Sequence, residues 1–551
     1  MMIVLLMGRR LSYLGLRLPA RSRGPAEEDR VHSTTTRNKC TSYELIPVAA
    51  ADSDFSKTAP EQGDPRPEGT TSNDRTQAPD SPPGSGSVLE NFLSLGSGIM
   101  ISKAVAFIGT AYLARRLGVY GFGIIGFATA VCTYFAIALK AGFGPVGARE
   151  VARHPGQIAP VSAGVIVLRL TLAGGVLVLT YLGTLVLDKP EIVKWVVMLT
   201  ALTYISLSLD TGWVYKGLGR NRRVGVSLIM AQAIYVAALL LLVRGPEDIL
   251  WVPLSLVFGE LFAAAYLAVP LFRGSSWAPD LPKAWSIFHA SIPLVIGQLL
   301  RALINVFDVV LLALLLGEVS VGLYTAAYRI CFLVILIGHS LQVAYLPALS
   351  RAAHRSNARA SQLVNRALEF AAAIAVPMAA GGILLAGPLL IHLFGPEYGE
   401  GTEAFRLLLI SVAFIFVHGV FGNTLLAHDR TRVLMWIQAL GASLNVVLNL
   451  ILIPLHGIVG AAVATVAAEG LILSLDYFAC RRLGLEISFG FLIKPIVAAT
   501  VMATVLLWLG PESSWLLRLV AGIVTYSVTL TLIGGIPADA RPSRPPSHHA
   551  G

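Results

Sequence analysis

The chain has 551 residues, of which 55% are hydrophobic and only 13% charged, and its mean hydropathy is +0.70. Soluble domains carry about 25% charged residues, so a water-soluble fold is excluded by composition. The net charge of +10 does not signal nucleic acid, because Lys and Arg stand singly or in pairs between apolar runs, with no basic stripe beside aromatic residues.

Residues 1–87 stand apart from the rest. Met1–Met7 is apolar but short, and its arginines follow rather than precede it, the reverse of a secretory leader. From Arg21 to Ser87 the composition turns to Pro, Gly, Ser, Thr and Asp, ending in SPPGSGS. Such a segment has too little apolar surface to offset chain entropy, and the expectation is a disordered cytoplasmic tail or an over-long start. Three of the four cysteines, Cys132, Cys331 and Cys480, lie in apolar segments and Cys40 lies in the tail, which implies no disulfide framework.

From Val88 onward nearly every segment is an apolar run of about 20 residues, the length that carries a helix across roughly 30 Å of hydrocarbon. Spans are expected near 88–113, 119–143, 160–187, 192–215, 224–243, 249–272, 286–316 and 320–347. Six more follow near 364–393, 404–427, 432–454, 457–480, 488–509 and 514–535. The connections after even-numbered spans, with the C-terminal tail, hold eighteen Lys and Arg against seven on the opposite side. By the positive-inside rule both termini are then expected in the cytoplasm, in a multi-pass protein of the cytoplasmic membrane.

The chain also repeats itself. An offset of 199 carries Gly98 onto Gly297, Gly118 onto Gly317, Gly123 onto Gly322 and Cys132 onto Cys331. Near an offset of 210, Arg220 and Arg222 in GRNR fall on Arg430 and Arg432 in DRTR, and Glu260 with Arg273 matches Glu469 with Arg482. Matching charged positions argue for two six-helix units of the same orientation rather than chance recurrence of small residues.

Four stretches carry a resemblance: Ile292–Ile330, FGPEYGEGTEAFRLLLI (Phe394–Ile410), LLAHDRTR (Leu425–Arg432) and NLILIPLHGIVGAAVAT (Asn449–Thr465). In order and spacing they resemble polysaccharide-transporter flippases of the Wzx type, within the multidrug/oligosaccharidyl-lipid/polysaccharide exporter superfamily. The resemblance covers about residues 88–535 and implies an all-α, MATE-like membrane fold. Two six-helix lobes would face a central cavity, with two helices appended at the C-terminus. The implied division is an N-lobe at 88–280, a C-lobe at 281–485, spans 13–14 at 486–536 and a cytoplasmic tail at 537–551.

No phosphate-binding GxxxxGK[ST] loop, HExxH, GxSxG or metal-spaced Cys/His cluster is visible, and no connection is long enough for a catalytic domain. The expectation is therefore no catalytic residue, no cofactor and no metal. What remains are charges inside spans, each costing about 2.5–3.5 kcal/mol at the bilayer centre on insertion scales, which should face protein or water. Gln298, Arg301, Asn305 and Asp308 form one stripe along span 7 and are expected to line the cavity. Arg301 and Asp308 are about 10.5 Å apart along the axis, too far to pair, so Asp308 needs another cation, Arg329 or Lys103.

A lipid diphosphate suits such cations, Arg as a bidentate donor and Lys as a point charge. Lys103, Arg301 and Arg329, with Lys140, are expected to hold the head group, unless they serve only lobe packing or, for Lys140, reach to the interface. Glu469 and Asp476 in span 12 suit proton coupling, unless Glu260 and Glu469 pair with arginines at symmetric helix ends; Arg169 and Glu369 suit snorkelling or pairing, and Gln438, Asn445 and Asn449 suit sugar contacts or interhelical bonds.

The resemblance implies flipping of a polyprenyl-diphosphate-linked oligosaccharide by alternating access, for cell-surface polysaccharide biosynthesis. Its partners would be that lipid-linked glycan, membrane lipid and glycan-assembly proteins, without nucleic acid. The alternatives are a cation-coupled multidrug or metabolite antiporter of the same superfamily, an integral-membrane glycan polymerase, and a scaffold for glycan assembly.

Overall fold

A computed structural model of the chain describes residues 85–140, 143–274 and 277–535, apart from the side chains of 85–94, 305, 341 and 344. The expected tail at 1–87 therefore lies outside the described residues up to position 84, as does the one at 537–551.

In hydrocarbon every backbone N–H and C=O must find its partner within the segment, which leaves the helix as the form for each apolar run. The described residues are accordingly helical, in order α1 (Ser85–Lys140), α2 (Phe143–Arg153), α3 (Ile158–Val186), α4 (Glu191–Ala201), α5 (Thr203–Leu209), α6 (Gly212–Gly217), α7 (Asn221–Leu242) and α8 (Trp251–Phe272). There follow α9 (Leu281–Leu316), α10 (Glu318–Ala353), α11 (Asn357–Phe394), α12 (Thr402–Ala427), α13 (Thr431–Arg482), α14 (Ile493–Leu509) and α15 (Trp515–Leu532). Among the described residues twelve continuous helical stretches are long and apolar enough to cross a membrane. Two of them contain two crossings each, because the backbone reverses at Gly118 in α1 (φ 66°) and at Gly457 in α13 (φ 59°). Fourteen crossings result, as the sequence implies.

The internal repeat reappears in backbone geometry. Gly118 and Gly317, 199 apart, end spans 1 and 7 with φ of 66° and 87° and ψ of −179° and −178°. Gly219 and Asp429, 210 apart, both take positive φ, 70° and 58°. The following amides close the same turn, Arg220 onto Tyr215 O at 2.8 Å and Arg430 onto Leu425 O at 2.9 Å. Only a residue free of Cβ, or one with a short polar side chain, enters this region at low cost.

Two departures from expectation have local causes. Spans 7 and 9 begin earlier than the apolar pattern indicates, at Leu281 and Asn357, because Asp280 and Ser356 cap them, accepting from Lys283 N at 3.0 Å and Arg359 N at 3.3 Å. Span 4 is not one helix but α4, α5 and α6 in series. Thr200, Thr203, Ser206 and Ser208 turn their hydroxyls onto carbonyls three or four residues back, which weakens the ladder. The chain then opens at Asp210 (ψ 113°).

In the first half α1 packs on α4 and α7, and α7 on α8; in the second α12 packs on α10, α11 and α13, and α9 on α13. The two halves meet where α1 crosses α10 and α9. A Cβ on Gly123 would run into the Glu318 carbonyl, and one on Gly322 into that of Val119. The pair α14–α15 docks on α11 through Met502, Leu506 and Tyr526, whose hydroxyl donates to Ala373 O at 2.8 Å.

Candidate functional site

The cations expected from the sequence fall into two places. Lys103, exposed on the first crossing of α1, holds its ammonium 5.7 Å from the centroid of Phe332 on α10, so the two halves touch at this point. One turn before Phe332, Arg329 projects from α10, and the charges of Arg329 and Lys140 both act on Lys103. Tyr235 of α7 is within electrostatic reach of Arg329, whose Nε is buried and without a hydrogen-bond partner. Lys140, more than half exposed at the end of α1, stands 3.8 Å from Asp210 Oδ2. Lys103 is thus within electrostatic reach of a cation from each half, and of the three only Lys140 meets a carboxylate among the described residues.

The span 7 stripe divides. Gln298 and Arg301 are exposed. Arg301 makes no hydrogen bond or ion pair among the described residues, though its charge reaches Asp476 on α13. Asn305 is helical, but its side chain lies outside the described residues. Asp308, in contrast, is fully buried. It accepts from Tyr324 Oη at 2.6 Å and from Val309 N at 2.8 Å, and Tyr324 Oη is 3.5 Å from Thr465 Oγ1. Asp308 therefore sits at the α9–α10–α13 junction, satisfied by a phenol and an amide rather than by Lys103 or Arg329. Tyr324 precedes Arg329 by five residues, which at 100° per residue turns the two side chains about 140° apart around α10.

Other charges find structural work. Arg169, 1% exposed, stacks 4.5 Å over the Phe143 ring and donates to Asp210 O at 3.1 Å, capping the break in span 4. Glu260 accepts from Ser206 Oγ instead of pairing with an arginine. Glu369 is exposed. Asn449 Nδ2 donates to Asn445 Oδ1 at 2.9 Å within α13, and both are buried.

A family model described as "Polysaccharide biosynthesis protein" matches residues 88–353, and a second, MatE, matches 293–451. The probable low-salt glycan biosynthesis flippase Agl15 of Haloferax volcanii is 23% identical over 66% of this chain and 78% of its own. The probable flippase AglR of the same organism is 26% identical over 50% of this chain and 61% of its own. Over these stretches the chain is similar to polysaccharide biosynthesis proteins and to MatE transporters. The fold agrees: the lipid II flippase MurJ in an inward closed conformation superposes with a TM-score of 0.69 at 13% identity, over 80% of this chain and 98% of MurJ.

The chain also carries polar contacts between its halves that the sequence did not single out. Lys189, after span 3, pairs with Glu318 at 2.9 Å and donates to Ala313 O at 2.6 Å. Tyr398 donates to Ala114 O at 3.0 Å, and Arg115 to the carbonyls of Leu393 and His392. Within the second half the sequence also passed over His418 in span 10, which stands between Glu469 and Asp476 where an arginine was expected for Glu469. Two carboxylates seven residues apart on one buried helix face were the available signal, since they demand a cation on the neighbouring helix.

Proposed function

We propose that the chain flips a polyprenyl-diphosphate-linked oligosaccharide across the cytoplasmic membrane. The observation that carries this is Arg329 on α10, its Nε buried and unpartnered, with Lys103 one turn away over Phe332 and within electrostatic reach of Arg329 and Lys140. A buried guanidinium inside a membrane span is costly unless an anion joins it, and a diphosphate offers oxygens to both guanidinium and ammonium. The relatives named as a probable glycan-biosynthesis flippase and a probable flippase support the same reading.

Alternating access would proceed by rocking of an N-lobe at 88–280 against a C-lobe at 281–485, with the glycan and diphosphate between them and the polyprenyl tail in lipid. Lys103, Lys140, Arg301 and Arg329 would hold the head group and Gln298 and Asn305 would border it, while spans 13–14 would offer a surface for the tail. The charge asymmetry of the connections supports cytoplasmic termini, which puts Lys189, Glu318 and Tyr398 on the external face. A small cationic substrate, as in a cation-coupled antiporter, suits this site poorly, because the like charges of Lys103 and Arg329 would repel it.

The test is translocation of a lipid-diphosphate glycan in proteoliposomes. Charge-assisted hydrogen bonds are worth about 1.5–3 kcal/mol each, so Arg329→Ala and Lys103→Ala should each slow flipping by roughly 10- to 150-fold. Wild-type rates in folded Arg329→Ala protein would overturn the site, and movement of small cations alone by the wild type would overturn the function.

A further inference from the structure

Spans 10 and 12 enclose a charged cluster that plays no part in the scheme above. His418 on α12 and Glu469 and Asp476 on α13 are all buried, Asp476 completely. His418 Nε2 lies 2.9 Å from Glu469 Oε2, and His418 Nδ1 lies 3.7 Å from Asp476 Oδ2. The two contacts use opposite edges of one ring, so the imidazole is sandwiched between the carboxylates. Neither contact is aligned as a hydrogen bond: His418 Nε2, Glu469 Oε2 and both oxygens of Asp476 are buried without a hydrogen-bond partner. A neutral imidazole has one N–H and serves one carboxylate, whereas the protonated ring donates from both nitrogens.

The groups facing the cluster come from several helices. The charge of Arg301 on α9 reaches Asp476, and Tyr328 on α10 is within electrostatic reach of Glu469. Cys480, one turn beyond Asp476, turns its thiol to Phe421 O at 3.6 Å. On the far side of α12, α11 brings the apolar Ala367, Phe370 and Ala371 toward Phe416 and Val420.

With His418 protonated, the charges of Glu469, Asp476, His418 and Arg301 sum to zero. Arg301 is also exposed, and in the reading above it takes the substrate's phosphates. Once a phosphate engages Arg301, the remaining three groups carry one uncompensated negative charge in a buried site, and burial of an unpaired charge is costly. One proton on Asp476 restores the balance.

We propose that His418, Glu469 and Asp476 form a proton-binding site linked to the substrate through Arg301. Capture of the diphosphate by Arg301 draws one proton from the aqueous cavity onto Asp476; loss of that proton restores the attraction between Asp476 and Arg301 and loosens the head group. The linkage is reciprocal, so proton uptake tightens substrate binding by the factor by which substrate tightens proton binding. This inference rests on the flippase reading.

The test uses the full chain in lipid nanodiscs and a polyprenyl-diphospho-monosaccharide as probe. Its phosphates are both diesters with no proton that titrates near neutrality, so any proton taken up on binding belongs to the protein. A dye in lightly buffered solution should register uptake approaching one proton per bound probe. Affinity should rise by up to about tenfold for each unit fall in pH between 8 and 5.5, the limit for one linked proton. His418→Gln, Asp476→Asn and Arg301→Gln should each flatten the pH dependence and abolish the uptake, whereas Arg301→Lys, which keeps the charge, should retain both. Probe binding by the wild type without proton uptake overturns the linkage while leaving the flippase reading in place, and needs no variant to fold. Uptake that persists in both His418→Gln and Asp476→Asn overturns the site. A wild type that binds no probe at all fails the flippase reading, and this inference with it.

Discussion

Arg169 carries a guanidinium into the middle of span 3 with 1% of its surface accessible, and its work is structural: it caps the Asp210 carbonyl where span 4 breaks and stacks on Phe143. Arg169→Met keeps the stem's packing but strands that carbonyl. The variant should lose about 1.5–3 kcal/mol, the range for a hydrogen bond to a charged group, seen as a lower melting temperature in detergent. Wild-type melting would show that Asp210 O finds another donor. Lys103 and Arg329 were legible as candidates from sequence because a charge within an apolar run is costly and must be explained. The partner of Asp308 was not, since Tyr324 reads as one more large side chain of a buried helix and its hydroxyl acquires meaning only when α10 folds against α9. His418 was equally silent, because a single imidazole in span 10 gains its role from two carboxylates more than fifty positions further along the chain.

Among elements, the span positions were readable because 20-residue apolar runs have one solution in lipid, and the repeat was readable because its glycines serve backbone geometry. Gly118 and Gly317 take up matching φ and ψ at matching turns. The fragmentation of span 4 was hidden, since Thr and Ser at 200–208 leave hydropathy nearly unchanged while turning their hydroxyls onto the backbone. Gly123 and Gly322 have a role of their own: each lets a carbonyl of the opposite half approach, Glu318 at one and Val119 at the other, so the crossing of α1 and α10 is itself reciprocal under the repeat. Gly123→Val should therefore oppose the contact of the halves in this state. Overpacking costs about 1–3 kcal/mol, which corresponds to a 5- to 150-fold shift in population toward a state with the helices apart. Cysteines placed beside this crossing should become more reactive to an impermeant maleimide in the variant. Unchanged labelling would mean that the crossing stays shut throughout the cycle.

For the whole molecule, alternating access requires that the bonds joining the halves on one face break when the other face closes. On the face proposed as external, Lys189 bridges to Glu318 with side-chain exposures of only 12% and 8%, and the same ammonium caps the Ala313 carbonyl. A pair this well shielded is not a surface ion pair worth a few tenths of a kcal/mol. Removing one partner leaves a buried charge alone, at a cost of about 3–5 kcal/mol in the state that buries it. That cost falls on the closed face only, because an open face would return both groups to water. Glu318→Gln should therefore shift the protein toward the externally open state, lengthening spin-label distances between the two halves on that face. Lys189→Glu should do the same. Reversing both charges together should restore the short distance in part, since the ion pair returns while the cap on Ala313 does not. If the double reversal opens the face as far as either single change, the Lys189–Glu318 attraction does not hold the halves together, and the clasp must be assigned to Tyr398 and Arg115 with their backbone acceptors instead.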